Sequence, residues 1–158
     1  MKKPPHYDEV PEGGMLHMHF LPRLMETIID QAKKYEHIVI PLRHPVAIAL
    51  SWRQRNQSMH DLKDEIMALE GCLEHFDAFI FPVEMPKYDE LEAYLGRKIY
   101  RDPPITRWGT GSPYEAKRLW KEGKIDALLR MRHWAEPTKY GLELLEKPLF
   151  HRIYNLLD

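Results

Sequence analysis

Residues 38–45 read Ile-Val-Ile-Pro-Leu-Arg-His-Pro, and this short run predicts the architecture of the chain. The run from Ile38 to Leu42 is too short for a helix bounded by proline and is rich in β-branched residues, so we expect a buried, parallel strand. Pro45 suits the first turn of a following helix that extends to about Asn56. Arg43 therefore lies between a strand end and a helix N-terminus, where unpaired backbone N–H groups favour a phosphate.

The rest of the chain predicts one more strand and several helices. The second strand is expected from Phe76 to Val83. Apolar residues at helical spacing, together with capping residues such as Ser112 and Gly96, predict further helices at 21–35, 61–75, 88–95, 113–122, 124–133 and 147–157. Residues 1–16 read as an irregular arm and residues 99–112 as a loop, because both are rich in proline, glycine and charge.

Strands that alternate with helices predict an α/β layered fold, which we treat as a single domain over residues 1–158. Two strands make a poor sheet by themselves. Two explanations remain open for the short sheet. Edge strands near 15–20 and 98–101 complete it, or something outside this chain does. An incomplete sheet exposes an edge that invites self-pairing, so a homodimer is one expectation.

The composition excludes several classes of protein. Lysine and arginine number 23 and aspartate and glutamate 24, which gives a formal net charge of −1. A nucleic-acid partner is therefore not expected, since such proteins carry a basic excess. No run of about 18 apolar residues is present, and the lysines near Met1 precede no apolar segment, so we expect neither a membrane span nor a signal peptide. A cytoplasmic location follows as an expectation.

Cys72 is the single cysteine of the chain, so no internal disulfide and no cysteine-cluster zinc site can form. It falls inside a predicted helix beside Leu69 and Leu73. We expect a buried structural thiol rather than a nucleophile.

Arg43 and Ser51 are the first candidates for chemistry. In a helix that starts near Pro45, positions 44, 48, 51 and 55 lie on one face, which directs Ser51 and Arg55 toward a ligand held beside Arg43. Arginine suits phosphate because its guanidinium donates two parallel charge-assisted hydrogen bonds. The alternative is a surface arginine paired with a carboxylate and a serine bonded back into its own helix.

His17 and His19 are the second candidates. They share a face if the segment is extended, but no third or fourth metal ligand is evident nearby, so no metal is expected. A histidine just before a helix suits a general base, since its pKa lies near neutrality. A purely structural role is the alternative for both residues.

The segment His19-Phe20-Leu21-Pro22, followed by a helix, a strand that ends in Arg43, and then Ser51-Trp52, resembles the cytosolic and related sulfotransferases. These enzymes use 3′-phosphoadenosine 5′-phosphosulfate. The resemblance implies that His19 is the catalytic base and that Arg43 and Ser51 hold the 3′-phosphate of the cofactor. His17 stands where the family has a lysine that contacts the sulfonate or bridging oxygen.

The resemblance continues over residues 79–84 and 88–96, which are similar to a later strand of the family and its Tyr-Glu-Asp-Leu … Leu-Gly continuation. Residues 108–111, with Gly109, correspond loosely to the segment that closes over the adenosine. Overall the similarity covers about residues 17 to 100. The family's phosphate-binding loop of the Pro-Lys-Ser-Gly-Thr-Thr type does not occur in this sequence. The chain thus resembles the C-terminal two-thirds of the three-layer, P-loop-NTPase-like sulfotransferase fold.

The implied reaction is metal-free transfer of a sulfonate group to an acceptor hydroxyl or amine, with adenosine 3′,5′-bisphosphate as the other product. Arg53 and Arg55 are additional cations, and Trp52 packs either on the adenosine or in the core. The acceptor is not indicated. A partner chain would supply the missing loop. The alternative is a non-catalytic module of the same fold that binds an adenosine phosphate or another protein.

Overall fold

The computed structural model describes residues 15, 16, 18, 20–101 and 112–154, and this part of the chain is mostly helical. It contains eight α-helices, one short 3₁₀ helix at Pro22–Leu24 and a two-stranded sheet. The helices are α1 Met25–Ala32, α2 Pro45–Gln54, α3 Met59–Leu73, α4 Tyr88–Leu95, α5 Ser112–Lys121, α6 Ile125–Arg130, α7 Ala135–Leu145 and α8 Pro148–Tyr154. The strands are β1 Val39–Leu42 and β2 Phe79–Pro82. The architecture is α/β, as the alternating elements predict.

The two strands are parallel, in the register Val39↔Phe79 to Leu42↔Pro82, which confirms the predicted direction of β1. The expectation that the strand is buried is wrong for most of β1, because only Leu42 is buried. The Phe79 N–H donates to the Ile38 carbonyl at 2.8 Å and the Val83 N–H donates to the Leu42 carbonyl at 2.9 Å. Backbone polar groups alternate in direction along a strand. Those of Val39 and Pro41 therefore point to the outer edge of β1, which faces away from β2. Both of these residues are exposed.

Helix α2 is the centre of the fold. Apolar side chains cover most of its surface, and its buried members are Val46, Ala47, Ala49, Leu50 and Trp52. Helices α3 and α8 pack on one side of it around Leu62, Phe150 and Tyr154, whereas α5 and α6 pack on the other around Ala116, Leu128 and Trp134. Helix α7 contributes to both clusters, through Leu144 to the first and through Leu142 to the second. A run of small and apolar residues therefore places α2 between two clusters of the core.

Helix α7 crosses α2 at unusually close range. A Cβ added to Gly141 would lie 2.5 Å from the Val46 Cα and 2.9 Å from the Pro45 carbonyl oxygen, so the backbones meet where no side chain fits. The sequence prediction missed this helix, because Pro137 and Gly141 are both poor helix formers. Pro137 is tolerated because it falls in the first turn, where its missing N–H breaks no helical hydrogen bond.

Several boundaries differ from those that the sequence predicts. Helix α3 begins two residues early, since Ser58 rather than Asp61 provides the cap and its hydroxyl accepts from the His60 N–H at 3.1 Å. Strand β2 covers only the middle of the predicted run at 76–83. The helices expected at 21–35 and 124–133 are also shorter, and no strand forms at 98–101. Gly96 ends α4 in the left-handed conformation, with φ at 70°, as predicted.

Cys72 is a free thiol with no exposed surface, as the sequence predicts. Burial raises the pKa of this thiol, which keeps it protonated and unreactive. Every helix among the described residues is too short or too polar to cross a bilayer.

Candidate anion-binding site

The ends of the two strands and the start of α2 meet at Arg43. His44 is the N-cap of α2, in extended conformation, and its Nδ1 accepts a hydrogen bond from the Val46 N–H at 3.2 Å. Pro45 occupies the first helical position and therefore needs no partner. The strand thus turns directly into the helix, and Arg43 follows the last residue of β1.

Glu84 and Tyr154 fix this turn. The His44 backbone N–H donates to Glu84 Oε1 at 3.0 Å. The Tyr154 hydroxyl lies 2.8 Å from both the Leu42 carbonyl oxygen and Glu84 Oε2. Tyr154 is only 1 % exposed. Burial and the adjacent Glu84 carboxylate raise the pKa of its hydroxyl, which stays protonated. The C-terminal helix therefore holds the backbone on which Arg43 is placed.

The His44 ring is packed between two aromatic rings. Its centroid lies 4.6 Å from Trp120 of α5 and 5.1 Å from Tyr154 of α8. This packing is consistent with the 8 % exposure of His44. The ring of the residue just after Arg43 is thus held on both sides by aromatic side chains.

Arg43 is half-buried, and within the described residues its guanidinium has no hydrogen bond and no acidic partner. The described part of the chain therefore does not show the alternative arrangement, in which Arg43 pairs with a carboxylate. A second cation is close by. Burial, then Arg43, then Arg55 lower the pKa of the Lys117 ammonium on α5. Lys117 therefore lies within electrostatic range of both Arg43 and Arg55.

Lys117 is a residue that the sequence did not indicate. It follows Ala116, which is fully buried against Val46 and Leu50 of α2. This contact brings α5 beside the start of α2 and carries Lys117 toward Arg43. Spacing along the sequence carries no signal for it, since α5 and α2 are far apart in the chain.

Ser51 and Arg55 lie on the predicted face of α2. Ser51 is half-buried, and its hydroxyl makes no hydrogen bond within the described residues. Arg55 folds back on the helix: its Nε lies 3.4 Å from the Ser51 carbonyl oxygen, and its guanidinium carbon lies 5.9 Å from the centre of the Trp52 ring. Both side chains remain accessible to a ligand.

Trp52 lies in the core rather than on the surface. Its exposure is 8 %, and its cluster includes Ala49 and Leu62. Of the two roles that the sequence left open, the structure places Trp52 in the position of a core residue. Arg53 points away from Arg43 and forms an ion pair with Glu136 of α7.

Three of the predicted site residues, His17, His19 and Gly109, lie outside the described residues. The chain that leads toward Gly109 is held at Glu92 of α4. The buried Glu92 carboxylate accepts from Lys98 Nζ at 3.0 Å and from Arg101 Nε at 3.1 Å. Lys98, with a smaller contribution from Arg101, lowers the pKa of this carboxyl.

Two clefts of about 360 Å³ each open elsewhere on the described surface, one beside Arg53 and one beside Phe76, and Arg43 lines neither. Guanidinium and ammonium groups suit a compact, doubly charged oxyanion such as a phosphate. Among the described residues, no group of three or more His, Cys, Asp or Glu side chains gathers to hold a metal ion.

Comparison of the chain with protein-family models, with curated proteins and with solved structures finds no match. The function is therefore inferred from the residues of the site.

Proposed function

We propose that the Arg43 site binds the 3′-phosphate of an adenosine 3′,5′-bisphosphate-type nucleotide. The observation that carries this proposal is the half-buried Arg43 guanidinium at the end of β1, which has no acidic partner within the described residues. The lowered pKa of the Lys117 ammonium supports it, because Arg43 and Arg55 add to the effect of burial and a second positive charge therefore lies within electrostatic range of Arg43. A half-buried guanidinium without an acidic partner loses part of its hydration, and an incoming phosphate offsets that loss.

The chemistry that we propose for the bound nucleotide is sulfonate transfer. An acceptor hydroxyl or amine attacks the sulfur of 3′-phosphoadenosine 5′-phosphosulfate and loses its proton to His19. The bond between sulfur and the bridging oxygen breaks, and adenosine 3′,5′-bisphosphate leaves. The donors for the 5′-phosphosulfate come from outside residues 1–158, since no loop of the Pro-Lys-Ser-Gly-Thr-Thr type occurs in this sequence.

The absence of that loop from the sequence also favours a second candidate function. Without preorganised donors at the bridging oxygen, transition-state stabilisation drops by several kcal/mol. The chain would then bind an adenosine phosphate without turnover. The two functions share the Arg43 site and differ only in whether sulfonate transfer follows binding.

Calorimetric titration with adenosine 3′,5′-bisphosphate tests the shared step. We expect the Arg43→Gln variant to bind about ten- to a hundredfold more weakly than the wild type, because it loses charge-assisted hydrogen bonds. Arg97→Gln is the matched control, since Arg97 is exposed at the far end of α4 and should not affect binding. Absence of heat in the wild type removes the proposal, and undiminished binding by Arg43→Gln moves the site elsewhere.

Turnover separates the two functions. Sulfonate transfer from 3′-phosphoadenosine 5′-phosphosulfate is measured with the missing loop added as a second polypeptide, for the wild type and for His19→Ala. Transfer that depends on His19 supports the enzyme. Nucleotide binding without transfer supports the non-catalytic module.

A further inference from the structure

A second cationic cluster lies at the opposite end of α2 from Arg43. An open cleft of about 360 Å³ is lined there by Arg53, Arg132, His133, Trp134 and Glu136. Arg53 comes from the last turn of α2, and the other four come from the turn before α7 and its first residues. This volume falls within the range of small-molecule sites, about 300–1,000 Å³. The nucleotide site proposed above uses none of these side chains.

Arg53 is only partly satisfied by its surroundings. One of its terminal nitrogens, Nη2, pairs with the Glu136 carboxylate. Its Nε is buried and has no hydrogen-bond partner among the described residues. Buried donors are nearly always paired, because burial removes their hydrogen bond to water. The ion pair with Glu136 therefore holds the guanidinium in place but leaves hydrogen-bonding capacity unused.

Arg132 adds a second guanidinium to the same cleft. It is exposed, and it makes no hydrogen bond or ion pair within the described part of the chain. Two arginines thus face one carboxylate, that of Glu136, and the lining carries a net positive charge before His133 is counted. Trp134, buried in the core, contributes an apolar wall.

We propose that this cleft binds a small organic oxyanion, a carboxylate or a phosphate monoester. Its oxygens accept hydrogen bonds from Arg53 and Arg132, and its apolar part lies against Trp134. The planar fork of a guanidinium matches both kinds of oxyanion. Glu136 weakens the attraction for such an anion, because its carboxylate repels negative charge.

Titration of the full chain with phenyl phosphate and, separately, with benzoate tests the proposal, with the indole N–H of Trp134 followed by NMR. We expect this signal to shift with at least one of the probes. Arg132→Gln, a surface change, should weaken binding about tenfold. Arg130→Gln is the matched control, since Arg130 is an exposed arginine of α6 that does not line the cleft, and it should bind as the wild type does.

A variant that is expected to bind the probe more tightly provides a second test. Glu136→Gln removes the negative charge from the lining and should tighten binding of either probe. The proposal is overturned if the Trp134 signal stays fixed at millimolar probe, or if Arg132→Gln binds as tightly as the wild type. It is also overturned if Arg43→Gln, and not Arg132→Gln, abolishes the shift, because the probe would then occupy the nucleotide site.

Discussion

The pKa of the Lys117 ammonium depends on the charges around the proposed nucleotide site. Its pKa lies below the ordinary value of 10.5, through burial and through repulsion by Arg43 and Arg55. Arg43→Gln removes one source of repulsion and should raise this pKa in the free protein. Adenosine 3′,5′-bisphosphate should raise it in the wild type, because an anion favours the charged ammonium. NMR titration of the Lys117 side chain measures both effects.

Two controls accompany the Lys117 measurement. Arg97→Gln should leave the pKa of Lys117 unchanged. If Arg43→Gln also leaves it unchanged, the two cations are too far apart to share one phosphate.

Tyr154 ties the C-terminal helix to the strand ends through a buried hydroxyl. Tyr154→Phe removes these hydrogen bonds and should lower the free energy of unfolding by about 1–3 kcal/mol at neutral pH. The folded protein raises the pKa of this hydroxyl, whereas an unfolded tyrosine ionises near pH 10. The stabilisation is therefore complete below about pH 10 and declines as the pH rises further.

Guanidinium denaturation at pH 7 and above pH 10 checks the Tyr154 prediction. The difference between wild type and Tyr154→Phe should shrink at the higher pH. Tyr100→Phe is the control, since Tyr100 is 83 % exposed and should behave as the wild type does at both pH values. A difference that grows with pH contradicts the assignment.

The sequence predicts only part of the proposed nucleotide site. Arg43, Ser51 and Arg55 can be proposed as one site from the sequence, because one strand end and one helical repeat relate their positions. Lys117 could not, because its position depends on how Ala116 packs into the core. The role of His44 as a helix cap between two rings could not be predicted either, because Trp120 and Tyr154 come from distant parts of the chain.

At the scale of the elements, the contact between α7 and α2 depends on Gly141. Gly141→Ala places a methyl group against the Val46 backbone, so the helices must separate, and the free energy of unfolding should fall by about 1–3 kcal/mol. Gly71→Ala is the matched control inside α3, where an added Cβ meets nothing within 4 Å. This variant should be stabilised by about 0.5–1 kcal/mol through higher helix propensity.

Urea denaturation of both glycine variants measures the contrast. Opposite signs support the close crossing of α2 and α7. Equal stabilisation by the two substitutions would show that the helices do not meet at Gly141.

The elements that sequence reasoning found are those with a clear local signal. Strand β1 has β-branched residues just before Pro41, and α4 has a glycine stop at Gly96. The sequence prediction missed helix α7 because Gly141, which permits its close contact with α2, lowers the helix propensity of the segment. Gly141 allows the close packing of α7 on α2 although glycine lowers helix propensity. This role of Gly141 becomes visible only in the folded structure.

At the scale of the whole molecule, the described sheet leaves one edge exposed at Val39 and Pro41. Pro41 offers no N–H there, and an exposed edge with a proline resists pairing. Pro41→Val restores the donor and should increase self-association, which sedimentation velocity at several protein concentrations detects. Pro86→Val, in an exposed turn before α4, should leave it unchanged. Equal sedimentation of all three proteins would show that Pro41 does not control pairing.

The proline at this edge also determines how a further strand can be recognised. A strand from another polypeptide meets an interrupted ladder, so main-chain hydrogen bonds alone cannot hold it in register. Its affinity has to come from side chains that fit around Val39 and Pro41. Such an edge selects an added strand by its side chains. It pairs poorly with β-segments that would join a continuous edge through main-chain hydrogen bonds alone.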